Sequence, residues 1–330
     1  MKLAFYSTQS YDKEYFNRYN PGHEINFLET SLREKTVKLI TDETAVCVFV
    51  NDSLSEPVIF ALKEKGIKLI ALRCAGYNNV DLAAAAKAGI TVVRVPAYSP
   101  HAVAEHAIAM IMTLNRKTHK AYNRVREGNF SLDRLIGFDL FGKTVGVIGM
   151  GKIGQVFAQI MMGFGCKVLV NDLFPNPEWE KRGWQIVSSE EIFGSADIIS
   201  LHCPLTESTK HLINTETIGQ MKPGVMLINT GRGALIDTGS VIEGLKNGQI
   251  GYLGIDVYEQ EEHLFFRDLS ENIIQDDQIM RLMSFPNVLI TSHQAFFTDE
   301  ALSEIARVTY ENIQSFEKGG IISNAISLSA

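Results

Sequence analysis

Lys143-Thr144-Val145-Gly146-Val147-Ile148-Gly149-Met150-Gly151-Lys152-Ile153-Gly154 carries a short apolar run directly into a G-x-G-x-x-G hexapeptide. The hexapeptide alone is weak evidence, because glycine-rich turns arise by chance. Its setting decides the reading: residues 145–148 have the composition of a strand and residues 155–164 the pattern of a helix. A strand, glycine loop and helix in that order form a cradle for a pyrophosphate. Gly149 would make the tight turn, Gly151 would let the backbone approach the phosphates, and Gly154 would let the helix pack closely on the strand. The phosphates would sit at the helix N-terminus, against exposed N–H groups and the positive end of its dipole. The next apolar run, 167–170, leads through Asn171 to Asp172. A carboxylate there accepts hydrogen bonds from an adenosine ribose and repels a 2′-phosphate, so NAD is expected rather than NADP. An isolated Asp would be read as a turn cap; behind a glycine loop it gains the second meaning.

Working outward, short β-rich runs alternate with helical patterns throughout. Runs at 3–6, 45–50, 69–72 and 91–95 are separated by amphipathic stretches such as 57–65 and 82–87. A long Ala- and Met-rich helical stretch follows at 102–116, then a basic segment to Arg126. Further runs come at 198–201, 225–228, 251–255 and 288–291, and a final helical stretch, 300–318, ends at Gly319-Gly320. Such alternation is the signature of βαβ units and parallel sheets. The fold class is α/β, with two doubly wound parallel-sheet domains. Strand spacing alone puts one boundary near Pro100.

Composition agrees. At ~150 residues per domain, 330 residues make two domains, and 45% hydrophobic content supplies their cores. Lys and Arg total 31 against 38 Asp and Glu, a formal charge of -7. An acidic chain does not offer an extended surface to nucleic acid, though a single Arg or helix terminus can still hold a small anion. Cys47, Cys74, Cys166 and Cys203 are dispersed, with no C-x-x-C pair, so neither a metal site nor a disulfide framework is expected; reduced thiols fit the cytoplasm. The N-terminus lacks the apolar stretch of a signal peptide, and no run approaches the ~20 residues of a membrane span.

In open α/β sheets ligands bind beyond the carboxyl ends of the strands. Those positions hold His202-Cys203-Pro204, Asn229-Thr230-Gly231-Arg232, Asp256 with Glu261 five residues later, and Ser292-His293-Gln294. An arginine can grip a carboxylate through two parallel hydrogen bonds and polarise an adjacent carbonyl. A histidine can deliver a proton to the carbonyl oxygen, and a neighbouring carboxylate stabilises its imidazolium form. Together they suit hydride transfer to a 2-oxo acid. His101, His106, His119, His211 and His263 lack such a setting and are read as structural or solvated. His202 lines the cofactor side without a proton-transfer role, and His23, in a Pro-Gly turn, is expected to be exposed.

These residues resemble the D-2-hydroxyacid dehydrogenase family. The resemblance runs through Arg73 to Asp81, Val95-Pro96-Ala97-Tyr98, Ala104-Glu105-His106, the glycine loop, His202 to Thr206, Asn229 to Asp237, Asp256-Val257-Tyr258-Glu259 and His293-Gln294-Ala295. It thus covers nearly the whole chain, and the bacterial fermentative lactate branch is most similar. The resemblance implies that Arg232 binds and polarises the 2-oxo acid, that His293 donates the proton and that Glu261 pairs with His293. It implies that Cys74, Ala75 and Gly76 offer backbone amides to the substrate carboxylate, and that Tyr98 and Phe296 shape the side-chain pocket. Lys152, Ile153, Asp172, Cys203, Pro204, Thr209, Thr230, Gly231 and Asp256 fall at its cofactor-contacting positions, beside Gly149, Gly151 and Gly154. Gly231 stands where the family more often has Ser or Ala. The family also implies a split order: residues 1–100 and 297–330 form a flavodoxin-like substrate domain, into which a Rossmann-type NAD domain, 101–296, is inserted.

The expected activity is reversible reduction of pyruvate to D-lactate with NADH by a homodimer or homotetramer assembled through the 102–126 region. A larger 2-oxo acid, of phenylpyruvate or branched-chain type, is the nearer alternative. An NAD(H)-sensing corepressor-like protein is the alternative of another class, set against by the near absence of chain outside the two domains.

Overall fold

The computed structural model describes residues 1–261 and 264–326, so His263 lies outside the described residues. Within them the chain divides into two compact units: Met1–Ser99 together with the residues from Phe297 on, and Pro100–Phe296. The division falls where Pro100 opens the helix Pro100–Arg116.

The first unit holds strands β1 (Lys2–Phe5), β2 (Glu24–Phe27), β3 (Ala45–Val48), β4 (Leu69–Leu72) and β5 (Thr91–Arg94). They form one parallel sheet in the order β2-β1-β3-β4-β5, a flavodoxin-like arrangement. Strands β3 and β4 are buried at every position, as expected of a parallel sheet covered on both faces. After the excursion through the second unit the chain returns as helix Asp299–Glu317, whose Tyr310 hydroxyl donates to the Phe16 carbonyl at 2.6 Å. Val93 then bridges to Ala325, and Asn312 Nδ2 donates to the Arg94 carbonyl. The carboxyl edge of this sheet contains a buried ion pair. Arg73, 1% exposed, donates to both Asp12 oxygens at 3.2 Å and to the Ser7 carbonyl at 2.8 Å, its guanidinium lying over Phe5 and Phe49. Beside it the Asp52 carboxylate accepts from the Ser7 hydroxyl and the Leu32 and Phe49 amides.

The second unit adds β6 (Thr144–Ile148), β7 (Lys167–Asn171), β8 (Gln185–Ile186), β9 (Ile198–Leu201), β10 (Val225–Asn229), β11 (Ile250–Ile255) and β12 (Val288–Ile290). Their order, β12-β11-β10-β9-β6-β7-β8, is all parallel and reverses direction between β6 and β9. This is the doubly wound Rossmann arrangement, with its crevice at the reversal. Two apolar layers sandwich the sheet, one built around Ile199, Leu227 and Leu253, the other around Val147, Phe157 and Ile228.

Sequence and structure differ in two respects. The edge strands β2 and β8 were not expected; β2 is half-exposed and β8 is two residues long, so neither makes an apolar run. His23 is not exposed: its side chain is only 6% accessible, its ring stacks on Tyr310, and its Nδ1 lies 3.1 Å from the Met1 amino group. As expected, no helix among the described residues is long and apolar enough to cross a membrane.

Candidate active site

The glycine loop sits at the end of β6, beside the sheet's reversal. Gly149 takes φ +95, and a Cβ there would lie 2.3 Å from the Cys203 amide, so only glycine lets the loop run this close to the end of β9. At Gly154 a Cβ would lie 2.0 Å from the Gly149 carbonyl oxygen, which ties the helix Lys152–Gly163 tightly onto its own loop. Gly151 has open space where a side chain would be, and no side chain caps the helix that follows. The helix therefore presents uncompensated N–H groups beside Lys152 and Ile153, a site suited to phosphate.

Asp172 extends from the end of β7 to this loop. One carboxylate oxygen accepts from the Met150 amide at 2.7 Å and the other from the Phe174 amide at 2.9 Å. It therefore serves as a turn brace, and each oxygen retains a lone pair for a sugar hydroxyl. Cys203, whose thiol burial pushes up to about 11, follows β9 with Pro204. The Thr209 hydroxyl donates to the Pro204 carbonyl and accepts from the Thr206 amide, fixing that loop. Thr230 is buried at 8% exposure, and its hydroxyl bonds to nothing among the described residues. An orphaned buried hydroxyl beside an uncapped helix terminus fits a polar dinucleotide. His202 is packed against Phe157 and bonded to Ser200, and burial holds it down to about 3. Burial thus disfavours its charged form.

Arg232 follows β10. Asn229, fully buried, accepts from the Gly231 amide and donates to the Arg232 carbonyl, fixing the turn that aims the side chain. The guanidinium Nη1 donates to the Gly231 carbonyl at 2.7 Å, and no carboxylate pairs with Arg232 among the described residues. A half-buried cation without a counter-ion suits an anionic ligand. At Gly231 a Cβ would come 3.3 Å from the Leu235 Cδ1 atom, a tight contact that a small shift of the buried leucine would have to relieve. At Gly233 a Cβ would lie 2.1 Å from the Tyr258 carbonyl carbon, so this turn is packed directly on the segment that leads to Glu261.

His293 Nδ1 lies 2.8 Å from Glu261 Oε1, and Glu261 Oε2 accepts from the Tyr258 amide. A carboxylate only accepts, so Nδ1 carries the hydrogen and Nε2 is left for substrate. His293 has φ +54, a backbone state that costs on the order of 1–3 kcal/mol in a non-glycine residue. Asp256 maintains it. Its carbonyl accepts from the His293 amide at 2.7 Å, and its carboxylate from the Gln294 and Ala295 amides and the Thr291 hydroxyl. Burial pushes the Asp256 carboxyl up, but hydrogen bonds from His106, Thr291 and Ala295 outweigh it and leave it below the usual value. Asp256 is 0% exposed, and its carboxylate is tied to the turn that follows β12. His106, read as structural, is the residue beneath, 3.0 Å from the Thr291 hydroxyl. His211 is likewise structural, bonded to Glu259. Sequence reasoning placed Asn229 at a strand end without giving it a role and passed over Thr291; both act through hydrogen bonds that fix neighbouring turns.

The loop after β4 belongs to the first unit. The Val95 amide donates to the Cys74 carbonyl at 3.2 Å, Arg94 Nη1 to the Ala75 carbonyl at 2.8 Å, and the Cys74 thiol to the Gly76 carbonyl at 3.3 Å. All three carbonyls are engaged, while the Ala75 and Gly76 amides have no acceptor among the described residues. Tyr98 stands in this unit and Phe296 in the other.

A dinucleotide cradle, an unpaired arginine and a carboxylate-backed histidine along one sheet edge define an oxidoreductase of hydroxy and oxo acids. The chain belongs to the D-isomer specific 2-hydroxyacid dehydrogenases: residues 108–295 match that family's NAD binding domain. It is 53% identical over 328 residues to the D-lactate dehydrogenase of Escherichia coli K12, covering 99% of this chain and 100% of that one. The apo-structure of D-lactate dehydrogenase from Escherichia coli superposes with a TM-score of 0.91 at 51% identity, covering 99% and 100%. D-lactate dehydrogenase with NAD+ from Lactobacillus jensenii gives 0.82 at 32%, also covering 99% and 100%. NAD is the cofactor.

Asp172→Ser removes both the brace and the charge opposed to a 2′-phosphate. The ratio of NADH to NADPH efficiency is expected to fall about tenfold or more; steady-state kinetics with each cofactor reads it, and an unchanged ratio rejects the ribose contact.

Proposed function

We propose that this protein reversibly reduces pyruvate to D-lactate with NADH. The observation that carries the reading is the His293–Glu261 pair on the same sheet edge as an unpaired Arg232 and the glycine loop. Bound NADH supplies the hydride that converts the carbonyl carbon to CH–OH. Gly149, Gly151, Lys152, Ile153, Gly154, Asp172, Cys203, Pro204, Thr209, Thr230 and Gly231 are assigned to hold it. Arg232 binds the oxo acid and draws charge toward the carbonyl oxygen. His293, protonated, delivers its Nε2 proton to that oxygen, and Glu261 stabilises the imidazolium through Nδ1. In the first unit the Cys74–Gly76 loop takes the carboxylate through its amides; Tyr98 in that unit and Phe296 in the other are each assigned to selectivity for the acid's side chain. The Pro100–Phe296 unit is thus the cofactor unit and the other the substrate unit. Four cysteines without a disulfide among the described residues support a cytoplasmic setting.

Oligomerisation belongs to the same proposal. The segment after helix Pro100–Arg116 carries Tyr122, Val125, Phe130, Leu132, Ile136 and Phe141, each more than half exposed. Apolar surface of that kind marks a protein contact, and a second copy is the proposed occupant. Light scattering is expected to give a dimer or tetramer that Leu132→Glu with Ile136→Glu dissociates; a monomeric wild type rejects it.

A panel of 2-oxo acids with NADH, with chiral analysis of the product, tests the activity. Pyruvate giving D-lactate is expected; preference for phenylpyruvate or a branched-chain acid would replace the substrate, and no turnover would revive a sensing protein. Arg232→Gln is expected to lower kcat/KM for pyruvate by about 10²–10³ with NADH affinity unchanged; a wild-type rate rejects its role. Glu261→Gln removes the carboxylate that holds His293 Nδ1, so kcat for pyruvate reduction is expected to fall about 10²-fold with the NADH KM unchanged. A wild-type kcat would disprove the pairing.

A further inference from the structure

We propose that Arg94 is a positioning residue for the carboxylate of the oxo acid: by holding the Ala75 carbonyl it aims the Gly76 amide. The inference rests on the reading of the Cys74–Gly76 loop given above. It adds a charged residue outside that loop as the source of its geometry.

A trans peptide points its C=O and the next residue's N–H in opposite directions, so fixing one fixes the other. The Val95 amide holds the Cys74 carbonyl and thereby turns the Ala75 N–H away from β5. Arg94 Nη1, 2.8 Å from the Ala75 carbonyl oxygen, turns the Gly76 N–H away from the guanidinium in the same manner. Successive amides directed to one side form a concavity for an anion. The second of these peptides is oriented by a side chain and not by the sheet, which makes it the adjustable one. A cationic donor also polarises the peptide it binds, so the Gly76 N–H becomes a better donor.

Arg94 is itself anchored. Its amide donates to the Asn324 carbonyl at 3.2 Å, its carbonyl accepts from Asn312 Nδ2 at 2.9 Å, and its guanidinium lies over the Tyr77 ring at 5.0 Å. Arg73, the neighbouring buried arginine, makes its hydrogen bonds to Asp12 and the Ser7 carbonyl and none to the carbonyls of this loop.

The test compares the holoenzyme with Arg94→Met, Arg94→Lys and Tyr77→Leu. The readouts are KM for pyruvate, KM for NADH, Tm and inhibition by oxamate, a carboxylate of pyruvate's size. Arg94→Met is expected to raise the pyruvate KM and the oxamate inhibition constant about tenfold, with the NADH KM unchanged. Arg94→Lys retains a cationic donor for the same carbonyl and should recover most of the loss, and Tyr77→Leu should fall between. If the Met variant does not fold, the Lys and Tyr77→Leu variants carry the comparison. A lower Tm with wild-type pyruvate KM and oxamate inhibition would overturn the proposal and leave Arg94 purely structural. Failure of the underlying reading looks different: the wild type would then turn over no 2-oxo acid, or Arg232→Gln would leave oxamate inhibition intact.

Discussion

One buried carboxylate holds the chemistry in place. Asp256 accepts through its side chain from Thr291, Gln294 and Ala295 and through its carbonyl from His293. A charge with no exposure is costly unless its lone pairs are filled, and here they are filled by the turn after β12. The desolvation cost of the ion is thereby offset by bonds to the same turn in which His293 adopts its positive φ. Removing the carboxylate would strip the restraint from a strained backbone, and the imidazole would lose its register with Glu261. Conversely, the paired Gly233 and Tyr258 backbones keep Arg232 in the same frame as Glu261. The site is a set of strand ends locked to one another through the turns that follow them.

Central strands were legible because a parallel sheet covered on both faces demands unbroken apolar runs; β3, β4, β9 and β10 are buried at every position. The edge strands escaped notice for the same reason inverted. Glu24-Ile25-Asn26-Phe27 alternates because one side of it meets water, and two residues at 185–186 are too few for any period to emerge. His23 was misjudged because its turn is polar, while the ring that covers it, Tyr310, arrives from 287 residues away in sequence.

The candidate site was legible where function resides in residue type at a strand end: Arg232, Glu261, His293 and Asp172 could all be singled out that way. It was illegible where function resides in a partner's distance. Asn229, Thr291 and Arg94 matter through which atoms they reach, which residue type alone does not tell. The partner of His106, Thr291, lies 185 positions away in sequence. Asp256 could be placed at a strand end from the sequence, but not the bonds by which its carboxylate holds the turn after β12.

The first unit has the strand order in which flavodoxin-like proteins bind ligands between β1 and β3. Here that crevice is filled by Arg73, Asp12 and Asp52 with Ser7 between them. Mobile ions screen exposed pairs such as Arg307 with Glu304 and Glu311, but they cannot reach a guanidinium 1% exposed between two phenyl rings. The electrostatics that shape the root of the Cys74–Gly76 loop are therefore insulated from the salt of the medium. Ionic strength acts on this protein from its outer surface inward and stops short of that strand edge.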